Sequence, residues 1–203
     1  VGSGMMISHI SEQMLQYLLK SRVINDSDEE KEYYRYGIEI TISSLLNIIL
    51  IIGIGIIFRN VFESIIFLSF FMLIRQFTGG YHADTYFKCN LSFCISFISV
   101  LIMYHSTYEK ITISLSVYIS ILCVAIILFL CPIENVNKPI PKYKRNFFKY
   151  VSAILGIVYG IIGTVLISLS IKYGVLILYT LVLVTALIIA AIIKDRGCKY
   201  AEE

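Results

Sequence analysis

Apolar residues along this chain do not alternate with polar ones. They fall in long blocks separated by short polar stretches. A helix needs roughly 20 predominantly apolar residues to cross a bilayer. Ile38–Phe58, Thr112–Cys131, Val151–Ile171 and Gly174–Ile193 meet that length. Two further blocks, Ser64–Ile74 and Leu91–Tyr104, reach it only by taking in polar flanks. The expected fold is all-α and integral to the membrane, with about six transmembrane helices, the second and third short or partial. Ahead of them Ile7, Ile10, Met14, Tyr17 and Leu18 recur at helical spacing, which predicts an interfacial amphipathic helix. Ser27 followed by Glu30 has the form of a capping box, so a second helix starts there and runs on into the first span. The segment "PIENVNKPIP", Pro132–Pro141, is a turn-rich break.

Composition agrees with this pattern. Hydrophobic residues make up 58% and charged residues 15%, against about 25% charged in a soluble domain. Val1–Gly4 precede Met5 and are read as a vector-derived scar; residues 5–26 form the interfacial helix and linker, and 27–203 a polytopic membrane domain. The net charge of +3 is small; its placement is more informative. With the N-terminus in the cytoplasm and six spans, every Lys and Arg except Arg59, Lys110 and Lys172 falls on the inner side. That asymmetry obeys the positive-inside rule. It puts both termini, and the polar connection between the second and third spans, on the cytoplasmic face of a cell membrane. The partners implied are lipid and a substrate at that face, with no nucleic acid.

That connection, "RQFTGGYHADTYFKCN" (75–90), concentrates the candidate chemistry. Gly79 and Gly80 permit positive φ or a close approach of another chain segment, and are expected to end the second span. Asp84 or Thr85 is placed to cap the third. Cys89 then lies early in a helix, where the positive end of the dipole favours thiolate. His82, seven residues earlier, is within reach as a general base and acid. Arg75 is costly near a bilayer without a partner; it can bind a carboxylate or steady an oxyanion, as can backbone N–H groups near the glycines. Asp84, Asn90 and Glu39 are alternative orienters of the histidine, and spacing selects none. Each feature also has a structural explanation: Arg75 and Lys88 as topology anchors, Gly79-Gly80 as a plain turn, His82 and Cys89 as boundary residues. Five cysteines without a CxxC pair argue against a disulfide framework or zinc site. No metal or cofactor is expected. His9 and His105 lie elsewhere, and Cys94 and Cys123 read as small buried hydrophobes.

The stretch "RQFTGGYHADTYFKC" resembles the central motif of the accessory gene regulator B (AgrB) family, bacterial membrane cysteine endopeptidases that process quorum-sensing peptide precursors. The arginine, the Gly-Gly-x-His and the cysteine seven residues on match in order and spacing. "ENVNKPI", Glu134–Ile140, resembles the family's loop after the fourth span. The resemblance implies Cys89 as nucleophile and His82 as general base. Arg75, Gly79 and Gly80 are expected to support substrate or oxyanion. It further implies an AgrD-like propeptide with an amphipathic leader, a central signal segment and an acidic tail. Cleavage at the edge of the signal segment would leave an acyl-enzyme thioester, which a peptide Cys or Ser converts into a thiolactone or lactone.

Two more features bear on that substrate. Lys142, Lys144, Arg145 and Lys149 form a basic cluster suited to docking the acidic tail, or simply to anchoring topology. Gly156-x-x-x-Gly160 permits close helix packing, within the chain or in a homodimer. Two other classes compete with the peptidase. A small peptide exporter would suit six spans, but the chain lacks the internal repeat common in transporters. A membrane scaffold would leave the polar island unexplained.

Overall fold

The computed structural model describes residues 2–21, 27–79, 85–133 and 142–201; of 2–7, 29, 86, 142 and 195–201 it describes the backbone alone. Seven helices run through these residues: α1 (Gly2–Lys20), α2 (Asp28–Ile57), α3 (Val61–Thr78), α4 (Tyr86–Thr107), α5 (Ile113–Leu130), α6 (Lys142–Ser168) and α7 (Tyr173–Ala201). Helices α2 to α7 are each long and apolar enough to cross a membrane. In lipid every backbone N–H and C=O must be satisfied internally, and a helix does this within one segment.

The second span is one of the two shortest, and the third is of ordinary length. Helix α3 has 18 residues and α4 has 22, or about 27 Å and 33 Å at the α-helical rise. Both reach that length by taking in their polar flanks, as the sequence requires. Arg75, Gln76 and Thr78 stay helical at the end of α3, and Lys88, Cys89 and Asn90 are helical at the start of α4. Helix α1 begins at Gly2 and so includes most of the stretch read as a scar. Ser27 Oγ accepts the Glu30 N–H (3.4 Å), the expected cap of α2.

The chain divides into two compact units. The first comprises Val1–Gly53 and Ala83–Ile95, that is α1, most of α2 and the start of α4. In it, α1 turns Ser11 and Leu15 inward, while Ile10, Met14 and Tyr17 face outward as an apolar stripe, the arrangement an interfacial helix requires. Arg35 of α2 is hydrogen-bonded and ion-paired with Glu12 of α1.

The second unit comprises Ile54–His82 and Ser96–Glu203. Helix α6 packs on α5, α7 and α3, and α7 also packs on α3 and α5. The core holds Phe67, Phe97, Tyr104, Ile127, Leu178 and Ile188, with Phe67 tilted against Phe97 at 4.9 Å between ring centres. Close packing depends on small residues. A Cβ on Gly160 would come within 2.9 Å of the Ser120 Cβ, and one on Gly156 within 3.1 Å of Ile127 Cδ1. The Gly156-x-x-x-Gly160 face of α6 is therefore covered by α5 of the same chain. One end of this unit is tied by Lys172 to Glu63 (3.5 Å), His105 to Asn60 (2.9 Å) and Thr107 to Tyr179. The other end carries the Gly79 turn.

Candidate active site

Two local structures carry the residues singled out above. In the second unit α3 ends in a tight turn. Gly79 has φ +66° and ψ −150°, a conformation accessible in practice only to glycine. A Cβ there would overlap the carbonyl oxygen of Ile133, just past α5. Gly79 and Ile133 form an isolated parallel bridge, and the Ile133 N–H donates to Thr78 O at 3.0 Å. The ends of α3 and α5 are thus clamped, which fixes where the chain leaves toward Gly80 and toward Glu134. Arg75 donates from Nη1 to the Gly79 carbonyl oxygen. In this structure that guanidinium supports the glycine turn.

The basic start of α6 lies at the same end. Phe77 of α3 meets the rings of Phe147 (6.4 Å) and Phe148 (5.6 Å). Lys144, Arg145 and Lys149 are exposed there, with Lys144 Nζ 5.6 Å from the centre of the Tyr143 ring. The first turn of α6 has no acidic residue. Cations at a helix N-terminus oppose the dipole, so this cluster does not serve the helix that carries it. The side chain of Lys142 lies outside the described residues.

In the first unit, Thr85 caps α4: its Oγ1 accepts the Lys88 N–H at 3.3 Å and its carbonyl accepts the Cys89 N–H at 3.0 Å. Cys89 lies in the first turn, as the sequence predicts, and is half-buried. The next residue, Asn90, is buried and accepts a hydrogen bond at Oδ1 from Ser43 Oγ of α2 (3.0 Å). Glu39, one turn before Ser43, accepts a hydrogen bond from Ser11 of α1 (3.2 Å). Sequence reasoning considered Glu39 and Asn90 but missed Ser43. Its signal was available, since Glu39, Ser43 and Asn47 repeat every four residues along one side of α2. Gly80, His82, Asp84 and the Glu134–Ile140 motif lie outside the described residues.

Other thiols and clefts are less suited to chemistry. Cys94 lies further inside the span that Cys89 begins, Cys123 is buried with its Sγ 3.7 Å from Thr185 Oγ1, and the side chain of Cys198 lies outside the described residues. Cys131, one residue past α5, is buried; burial pushes its thiol up to about 12, although Arg75 pulls the other way. An open cleft of about 600 Å³ between α1 and α2 is lined by Ser8, His9, Glu12, Arg35 and Glu39. Its charges face one another, and Arg35 holds the Glu12 carboxyl below the usual carboxylate range. Among the described residues no cluster of three or more metal-ligating side chains occurs.

Six spanning helices, with a cysteine at the capped start of one and a glycine turn at the end of another, define a multi-pass α-helical membrane protein with a candidate thiol site. The family profile Accessory gene regulator B matches residues 11–193, and the chain belongs to that family, whose members take part in quorum-sensing peptide processing. It is 30% identical over 150 residues to "Putative AgrB-like protein 2" of Clostridium perfringens strain 13, covering 70% of this chain and 67% of that protein. It is 28% identical over 131 residues to "Putative AgrB-like protein" of C. perfringens strain SM101, covering 62% and 61%. Over 146 residues it is 21% identical to "Protein FsrB" of Enterococcus faecalis, covering 70% of this chain and 60% of that protein. No solved structure matches.

Proposed function

We propose that this protein is a membrane-integral cysteine endopeptidase. It cleaves an AgrD-like propeptide at the C-terminal edge of its signal segment and promotes cyclisation of what remains. Family membership supports the substrate class. The observation that carries the chemistry is the half-buried Cys89 in the capped first turn of α4, at the very start of its span, while Cys94 lies further inside the same span and Cys123 and Cys131 are buried.

The reaction follows from thiol chemistry. His82 takes the Cys89 proton as Sγ attacks the scissile carbonyl. The tetrahedral intermediate collapses, the C–N bond breaks, and His82 returns the proton to the leaving amine of the acidic tail. The signal segment stays on Cys89 as a thioester. A Cys or Ser side chain within the same peptide then attacks that thioester, expels the Cys89 thiol and closes a thiolactone or lactone ring. Holding the attacking side chain close and excluding water favours ring closure over hydrolysis. Arg75 contributes by holding the Gly79 turn. Lys142, Lys144, Arg145 and Lys149 attract the acidic tail. That end of the molecule is cytoplasmic by the positive-inside rule. A homodimer would use a face other than Gly156 and Gly160, which α5 covers.

The test is reconstitution in liposomes with an AgrD-like propeptide, followed by mass spectrometry. Native protein and Cys131→Ala release the tail and form a dehydrated ring, whereas Cys89→Ala and His82→Ala do neither. Undiminished tail release by folded Cys89→Ala would reject the assignment.

A further inference from the structure

We propose that Asn90 is a positioning residue for Cys89, anchored by Ser43 of α2; this rests on the peptidase reading above. Asn90 directly follows Cys89 and is 5% exposed, and its partner Ser43 is 6% exposed. The Ser43 hydroxyl donates to Asn90 Oδ1 at 3.0 Å, joining segments 47 residues apart in the sequence. Asparagine is a weak helix former, and its amide is costly to bury unless hydrogen-bonded. The stretch of α4 that Asn90 begins, "NLSFCISF", is mostly apolar. The amide has a specific use: it fixes the rotation of α4 about its own axis. Successive residues leave a helix about 100° apart, so turning Asn90 inward onto Ser43 sets the direction in which Cys89 projects. Thr85 fixes where α4 starts, and the Ser43–Asn90 bond fixes which way its first turn faces.

The anchor is itself held. Ser11 of α1, wholly buried, shares its hydroxyl proton between the Ser8 carbonyl (2.9 Å) and Glu39 (3.2 Å), and Glu39 lies one turn from Ser43 on α2. Arg35, one turn further back, pairs with Glu12 of α1. One side of α2 is thus fastened to α1 by two polar contacts and to the first turn of α4 by a third. A rotation of α2 that would release Asn90 must also break its bonds to α1.

The experiment uses the intact chain in liposomes with the AgrD-like propeptide. It compares native protein with Ser43→Ala, Asn90→Ala, the double variant and Ser43→Thr. The single changes lower kcat about tenfold, the scale set by a small misplacement of a reacting group, and leave KM unchanged. The double variant is no slower than the slower single one, because both remove the same bond. Ser43→Thr keeps the hydroxyl and restores most of the rate. A native kcat in Ser43→Ala, losses that multiply in the double variant, or no rescue by threonine would overturn the proposal. A second readout needs no substrate: iodoacetamide labelling of Cys89 with the other cysteines replaced by alanine. Ser43→Ala and Asn90→Ala change the labelling rate by the same factor; an unchanged rate in both counts against positioning. If Cys89→Ala leaves cleavage intact, the peptidase reading fails while labelling still judges the Ser43–Asn90 link. If Cys89→Ala abolishes cleavage but Ser43→Ala is native in both assays, only the positioning role is lost.

Discussion

Gly79 combines two constraints that no other residue type meets: φ is +66°, and the Ile133 carbonyl occupies the space a Cβ would need. This glycine-only conformation alone costs on the order of 1–3 kcal/mol for an L-residue with a side chain, and the overlap adds to it. Gly79→Ala is therefore expected to lower the thermal unfolding midpoint in detergent and to depress propeptide cleavage, because the clamp between α3 and α5 must open. An unchanged midpoint with native cleavage would show that the turn relaxes freely. The need for glycine here was legible in the sequence, since a Gly-Gly pair after an apolar run marks a break. Its partner was not: nothing in "CPIE" announces that Ile133 bridges to Gly79, a contact made 54 residues away along the chain. Arg75 was legible as a residue needing a partner, and one partner is the carbonyl at the end of its own helix, which spacing alone cannot separate from a substrate carboxylate.

At the scale of elements, the apolar blocks located all six spans, because length and hydropathy decide whether a helix can cross a bilayer. They left the ends of α3 and α4 open, since both spans need polar flanks. Hydropathy ends a span where polar residues begin, whereas the helix ends where its backbone bonding ends, at the Gly79 turn for α3 and at the Thr85 cap for α4. The capping residues at Ser27 and Thr85 were legible because their mechanism is local. Helix pairing was not, and Gly156-x-x-x-Gly160 shows why. The motif states that something packs closely without saying what, and the fold supplies α5 through Ser120 and Ile127. Gly160→Leu is accordingly expected to destabilise the protomer by about 1–3 kcal/mol through overpacking, read as a lower unfolding midpoint. Cysteines placed at position 160 should not crosslink two protomers. Efficient crosslinking there would mean that α5 does not cover this face.

For the whole molecule, the distribution of charge is the strongest organising signal. The Arg75–Gly79 turn and the exposed Lys144, Arg145 and Lys149 share one end of the second unit. The opposite end carries the buried Glu63 paired with Lys172. Three of the four cations, Lys142, Lys144 and Arg145, lie in the first turn of α6 and oppose its dipole, so the gain from them must lie in topology or in substrate. Replacing Lys142, Lys144, Arg145 and Lys149 with glutamine separates the two. Exposed charges contribute a few tenths of a kcal/mol each, so KM for the propeptide should rise about tenfold with little change in kcat. The effect should shrink with added salt. If KM is unchanged while insertion remains correct, the cluster acts only as a topology anchor.

The central claim is that Cys89 carries the substrate as a thioester, and intact-protein mass spectrometry tests it most directly. The reconstituted protein would be mixed with an AgrD-like propeptide whose ring-closing Cys or Ser is replaced by Ala, then quenched in acid. The account predicts a mass increase equal to the propeptide without its tail. Fragmentation should map the adduct to Cys89, neutral hydroxylamine should remove it, and it should be absent from Cys89→Ala and His82→Ala. Tail release at the native rate with no such adduct, or an adduct that persists in Cys89→Ala, would contradict the account.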